Sequence, residues 1–215
     1  MICVSIGKVS VEECVAHLGS LEFAEVRLDT MDVGVRSVTR IFSLPLSLIA
    51  TCRPGTYSDQ VRKNLLMTAI GAGASYVDIE TGSPVTFKKD VLAEASRCGS
   101  RVIFSYHNFK RTPADGTLKK VIDRSFLSGA DMVKIACMVH SNIDNLRLLS
   151  LLSMKNHMGK VVIVGMGERG RVTRVTSVLL GSPFTYASIE GCEPMAPGQM
   201  EAGRLKRAME LINNE

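Results

Sequence analysis

Residues 129–139, GADMVKIACMV, form an apolar run interrupted by a single charged side chain, Lys134. An ammonium in a low-dielectric interior is costly unless it is paired or gives up its proton. A desolvated, neutral amine is in turn a good nucleophile toward a carbonyl. Lys134 is therefore a candidate for imine chemistry; the alternative is a shorter strand from which the lysine head snorkels to water. Four other apolar runs carry polar groups in a similar way. Side chains on a strand alternate between faces, so Glu25, Arg27 and Asp29 of AEVRLD are expected to share one face. The same spacing groups Thr51 with Arg53, Asp78 with Glu80, Ser105 with His107, and Lys134 with Ala136 and Met138. Taken singly, EVRLD reads as a solvated edge strand, His107 as a structural histidine, and Asp78 and Glu80 as orienting groups. Carboxylates, arginines, a histidine and a lysine on one parity of five apolar runs neutralise one another only by converging. Convergence makes a polar pocket in an apolar shell.

Eight short β-rich runs position these residues: 2–7, 23–29, 46–53, 76–80, 101–108, 132–139, 161–167 and 184–189. Helix-length segments lie between them. Among these are 85–99 and 142–159, the latter repeating Leu at helical spacing and closing on a glycine, as a helix C-terminus does, and an amphipathic segment at 198–212 ends the chain. Strict alternation of strand and helix implies a parallel sheet covered on both faces. Eight units predict a (β/α)8 barrel, a single domain over 1–215, with the ionisable groups near the C-terminal strand ends where barrel enzymes work. The competing doubly wound sheet lacks the G-x-G-x-x-G that a dinucleotide needs after the first strand.

The composition narrows the class further. At 215 residues and 46% hydrophobic, the chain is able to build a sizeable core. Its six cysteines lie scattered, without CxxC pairs or metal-ligand spacing, and read as free thiols of a reducing cytoplasm. No leader or membrane-length apolar run is expected. The net charge of +5 is modest and spread out, and the chain has no tryptophan, so nucleic acid is not an expected partner.

With these motifs in hand, the chain resembles type I 3-dehydroquinate dehydratases essentially from end to end. The resemblance is carried by EVRLD (25–29), TCR (51–53), VDIE (77–80), SYHNF (105–109), GADMVKIA (129–136), GMGERGRVTRV (165–175) and APGQ (196–199). It implies a (β/α)8 barrel, a homodimer, and catalysis without metal or organic cofactor. It also implies an imine between Lys134 and the substrate ketone, with His107 as general acid and base. Arg174 is expected to hold the substrate carboxylate, and Ser5, Glu25, Arg27 and Arg53 to hold its ring hydroxyls. Gln199 is expected in a lid over the substrate. Two departures stand out. Met195 occupies a position where many members have serine, and the short RPGTYSDQ loop lacks the glutamate that orients the histidine in bacterial relatives. Asp59, Asp78 and Glu80 are the candidates to replace that glutamate. Two other readings share part of the pattern. A class I aldolase also uses a strand lysine in a barrel but has no need of SYHNF together with EVRLD. A non-catalytic binding barrel accounts for Met195 but leaves Lys134 and His107 without a purpose.

Overall fold

In the computed structural model, which describes residues 1–213, strand and helix alternate along the chain. The strands are β1 (Ile2–Ile6), β2 (Phe23–Arg27), β3 (Ser47–Thr51), β4 (Tyr76–Glu80), β5 (Arg101–Asn108), β6 (Met132–Met138), β7 (Val161–Met166) and β8 (Thr185–Ser188). The helices that follow them are α1 (Val11–Leu18), α2 (Val35–Phe42), α3 (Asp59–Gly71), α4 (Val85–Cys98), α5 (Asp115–Leu127), α6 (Asn142–Ser150), α7 (Arg171–Leu179) and α8 (Ala202–Asn213). The sheet order is β7-β6-β5-β4-β3-β2-β1-β8, and the fold is the (β/α)8 class expected from the sequence.

Local chemistry sets the element boundaries. Every residue of β7 is buried, which fits a Val- and Ile-rich strand covered on both faces. The Ser10 hydroxyl accepts from the Glu13 amide while the Glu13 carboxylate accepts from the Ser10 amide, a capping box that starts α1. Ser141 and Asp144 start α6 in the same way, and the Ser58 hydroxyl caps α3. α4 ends at Gly99, whose φ of 76° is left-handed and suits a glycine.

Several predicted elements are shorter in the structure. The run 23–29 leaves the sheet at Arg27, and Leu28–Thr30 forms a 3-10 turn, so Asp29 is not on the strand. β3 likewise stops at Thr51, with Arg53 beyond it. The expected helix 142–159 ends at Ser150 and gives way to 3-10 turns at Leu151–Ser153 and Lys155–His157. Leu151 and Leu152 keep the apolar spacing because they still face the core, but Met154 between the turns is extended, with ψ 101°. The last helix begins at Ala202 rather than 198. The preceding residues are held by β8 instead, through a Ser188–Glu201 bridge and a 2.8 Å hydrogen bond from the Ser188 amide to the Met200 carbonyl.

Two compact units divide the chain, with boundaries inside β1 and β5. One comprises Ser5–Phe104 and Gly129–Asp131, and holds β2, β3 and β4 with α1 to α4. Its strands pair in parallel, and the register sets Arg27 beside Thr51 and Thr51 beside Asp78. Val26, Ile49, Ala50, Val77, Leu66 and Val91 are completely buried in its core. The other comprises Met1–Val4, Ser105–Ser128 and the chain from Met132 onward. There β6 and β7 pair in parallel, with Lys134 beside Val162. Val175, Ala187 and Leu205 form a core cluster against which Ile2, Met200 and Met209 pack.

All six cysteines are free, and burial pushes the Cys14, Cys52 and Cys137 thiols up to about 12, which leaves them unreactive at neutral pH. No helix among the described residues is long and apolar enough to cross a membrane.

Candidate active site

In the unit holding β2 to β4, the strand ends present an interlocked set of charges. Glu25 is 3% exposed, and both of its carboxylate oxygens are occupied by hydroxyls. Ser5 Oγ donates to Oε2 at 3.1 Å and Thr51 Oγ1 donates to Oε1 at 2.9 Å. Two hydroxyl donors fix the carboxylate plane. Arg27 forks onto Asp29, with Nε to Oδ1 at 3.0 Å and Nη2 to Oδ2 at 2.8 Å. Burial opposes the Arg27 charge, but the Asp29 hydrogen bond and the Glu25 and Asp29 charges outweigh it and raise its pKa. Arg53 binds Asp78 with two nitrogens, at 2.8 and 2.9 Å, and Glu80 with one, at 2.9 Å. It too is buried against its charge, and Asp78, Glu80 and Glu25 reverse the effect, so its pKa rises.

Asp29 thus reaches Arg27 without the strand alternation predicted for it. The turn after β2 curls the carboxylate back to the guanidinium. Of the carboxylates considered as partners for His107, Asp78 and Glu80 both hold Arg53. Asp59 lies at the first turn of α3 and binds Arg62 at 2.5 Å.

The other unit carries the lysine and the histidine. Lys134 sits mid-strand in β6 at 6% exposure, between the completely buried Val133 and Ile135. Its Nζ lies 3.7 Å from the centroid of the Tyr186 ring on β8. The amine is therefore inside the fold, and the snorkelling alternative is excluded. His107, near the C-terminal end of β5, is half-buried, with its ring stacked on Phe109 at 6.0 Å and 16° between planes.

Arg174, in the first turn and a half of α7, is completely buried. Its hydrogen bonds run to two backbone carbonyls and are long: Nη1 to Tyr186 at 3.3 Å and Nη2 to Pro197 at 3.4 Å. Its Nε has no partner, and among the described residues no carboxylate forms an ion pair with it. Burial, and secondarily the charge of Arg171, lowers its pKa to about 10, so it remains a cation at neutral pH. A buried, charged fork without a counter-charge is costly, and its geometry suits an anion with two oxygens.

Gln199 is 7% exposed and lies on the loop between β8 and α8. Its Oε1 accepts from the Met195 amide at 2.8 Å. Met195 thus takes part through its backbone, a role that serine or methionine fills equally. The same loop is fastened to the end of β7, where the Gly167 amide donates to the Pro197 carbonyl at 3.0 Å. Gly198, at φ 73°, lies so close to the Gly167 carbonyl that a Cβ there has no room. Sequence reasoning missed Thr51 as a partner of Glu25 and Tyr186 as a partner of Lys134. Thr51 lay within its own TCR motif. Tyr186 is an aromatic residue inside FTYAS, and that was its only signal. No group of three or more His, Cys, Asp or Glu among the described residues is placed to hold a metal ion.

Comparison with known proteins places this arrangement in context. The family model for type I 3-dehydroquinase matches residues 2–215. A 3-dehydroquinate dehydratase of Methanococcus maripaludis is 33% identical over 196 residues, covering 89% of this chain and 88% of that protein. One of Methanocaldococcus jannaschii is 30% identical over 224 residues, covering 99% of each. The crystal structure of the Clostridium difficile type I 3-dehydroquinate dehydratase, covalently modified by comenic acid, superposes with a TM-score of 0.85. It is 22% identical and covers 98% of this chain and 91% of its own.

Proposed function

The chain belongs to the type I 3-dehydroquinase family and is a hydro-lyase of the shikimate pathway that acts on 3-dehydroquinate; from that premise we propose that Lys134 is its imine-forming residue. The Lys134 amine adds to the substrate's C3 ketone, and the carbinolamine loses water to give a protonated iminium. The iminium draws electrons from C2, whose proton passes to His107. His107 then returns a proton to the departing C1 hydroxyl, and hydrolysis of the imine releases 3-dehydroshikimate. Arg174 holds the substrate carboxylate, Ser5, Glu25, Arg27 and Arg53 hold the ring hydroxyls, and Gln199 closes over the substrate.

The observation that carries the reading is Arg174, a buried guanidinium that among the described residues pairs with two distant carbonyls and with no carboxylate. A purely structural arginine in such a place is expected to bring its own carboxylate, as Arg62 does. The burial of Lys134 within β6 adds to it, since a barrel that only binds has no need of an amine there. The aldolase reading is set aside by the family match over residues 2–215. No metal or organic cofactor enters this scheme. The protein works as a homodimer in the cytoplasm, in keeping with its family and with its free cysteines.

The test is borohydride reduction in the presence of 3-dehydroquinate, followed by peptide mass analysis. The expected result is the reduced adduct on Lys134 and loss of the ultraviolet signal of the conjugated enone acid on later assay. An unmodified Lys134 in protein that still turns over substrate removes the imine mechanism.

A further inference from the structure

We propose that the face of the Tyr186 ring is the electrostatic partner of the imine, holding the Lys134 amine before reaction and stabilising the positive charge that it acquires. The proposal rests on the imine at Lys134 and adds to it a residue that neither the motifs nor the reaction scheme assigns. Three observations carry it. The Lys134 nitrogen lies 3.7 Å from the ring centroid, well inside the distance at which a cation is drawn to the negative face of an aromatic ring. Both side chains are almost wholly buried, at 6% and 3% exposure, so water does little to weaken the attraction. The ring is also fixed. Phe184 meets it edge-on, at 5.5 Å and 71°, and the Tyr186 carbonyl accepts from Arg174.

The consequence for the reaction follows from charge. When the amine adds to the ketone, His107 supplies a proton to the leaving water and the resulting C=N bond carries a full positive charge. That charge arises on the nitrogen that faces the ring. The neutral amine that attacks the ketone is held only weakly by the ring, so the interaction strengthens along the reaction and acts on the chemical step rather than on binding. Tyr186 also ties two parts of the site together, the amine through its ring and the carboxylate-binding arginine through its carbonyl.

The test replaces Tyr186 with phenylalanine, with leucine, and with phenylalanines bearing one, two and three ring fluorines introduced by nonsense suppression. Fluorine drains the negative face while changing the shape little. Tyr186→Phe is expected to keep kcat within about twofold. Successive fluorines are expected to lower kcat progressively, by roughly tenfold across the series, while KM moves less than about threefold. Tyr186→Leu is expected to fall by about tenfold, and if it fails to fold, the fluorinated series still decides. Borohydride trapping of the unsubstituted protein reads the imine independently. A flat response to fluorine while trapping at Lys134 persists overturns the role of Tyr186 and leaves the imine standing. A fall in Tyr186→Phe as large as in Tyr186→Leu overturns it as well, since the hydroxyl and not the ring face then matters. Loss of trapping in the unsubstituted protein overturns both.

Discussion

In the proposed scheme Lys134 forms the imine and His107 moves the protons, so their removal is expected to fail at different stages. Lys134→Ala should give no borohydride-stable adduct and lose at least about a thousandfold in kcat, because no other nucleophile replaces the amine. His107→Ala should still form the imine and accumulate it, with turnover down about 10² to 10⁴-fold, the usual contribution of a general acid–base. Mass spectrometry of the trapped protein separates the two; normal turnover by His107→Ala removes the acid–base assignment. Arg174 gives a third prediction with two opposed signs. Arg174→Met deletes a buried charge that lacks a carboxylate, so thermal melting of the empty protein should rise by a few degrees. The same change should raise KM by roughly ten- to a hundredfold, as for a lost charge-assisted bond. A fall in both stability and affinity contradicts the view that the guanidinium waits for an anion. Most of the residues that the proposal uses were legible in sequence. Lys134 announced itself by being the one charge in an apolar strand, and EVRLD, SYHNF and APGQ named their residues. Tyr186 did not, because its part depends on the fold bringing side chains of β6 and β8 together although the two strands are not neighbours in the sheet, and no local pattern around residue 186 refers to residue 134.

Elements place these residues, and the loop after β8 is the most exposed to test. Gly198→Ala would set a methyl group against the Gly167 carbonyl at a positive φ. The loop must shift, carrying Gln199 and Pro197 away from their partners. The expected outcome is KM raised about tenfold or more, with hydrogen exchange faster in the loop and unchanged in β6 and β7. Ser141→Ala, which breaks the capping box of a helix that carries none of the proposed site residues, should cost about 1 kcal/mol of stability and leave kcat alone. Existence and order of the elements were readable from the alternation of apolar runs, but their ends were not. β2 stops at Arg27 because the chain turns to bring Asp29 onto the guanidinium, and α6 stops at Ser150 although Leu151 and Leu152 prolong its apolar stripe. Apolar spacing reports what is buried; it does not report whether the backbone remains helical.

At the scale of the whole molecule, ligand and fold share a free energy. Product at about a hundred times its dissociation constant should stabilise the folded state by about 2.7 kcal/mol, which for a chain of this size is roughly 5–10 °C in melting temperature. Scanning calorimetry with and without product checks it, and Arg174→Met should show most of the shift lost. The effect should also depend on pH. Arg174 is a cation below its lowered pKa of about 10, so the grip on a carboxylate holds through neutral pH and fades as pH rises past about 10. Over the same range the empty protein is relieved of a buried charge, because the unfolded chain then binds the extra proton. The product-induced shift in melting temperature should therefore shrink in alkali. The burial of that guanidinium has one more consequence, which concerns the surrounding medium. Mobile ions thin out the pull between exposed charges beyond about 8 Å in ordinary saline, but they do not enter a dry wall of packed side chains. Capture of the acid at Arg174 should accordingly persist in brines strong enough to abolish any long-range guidance of the molecule toward the protein.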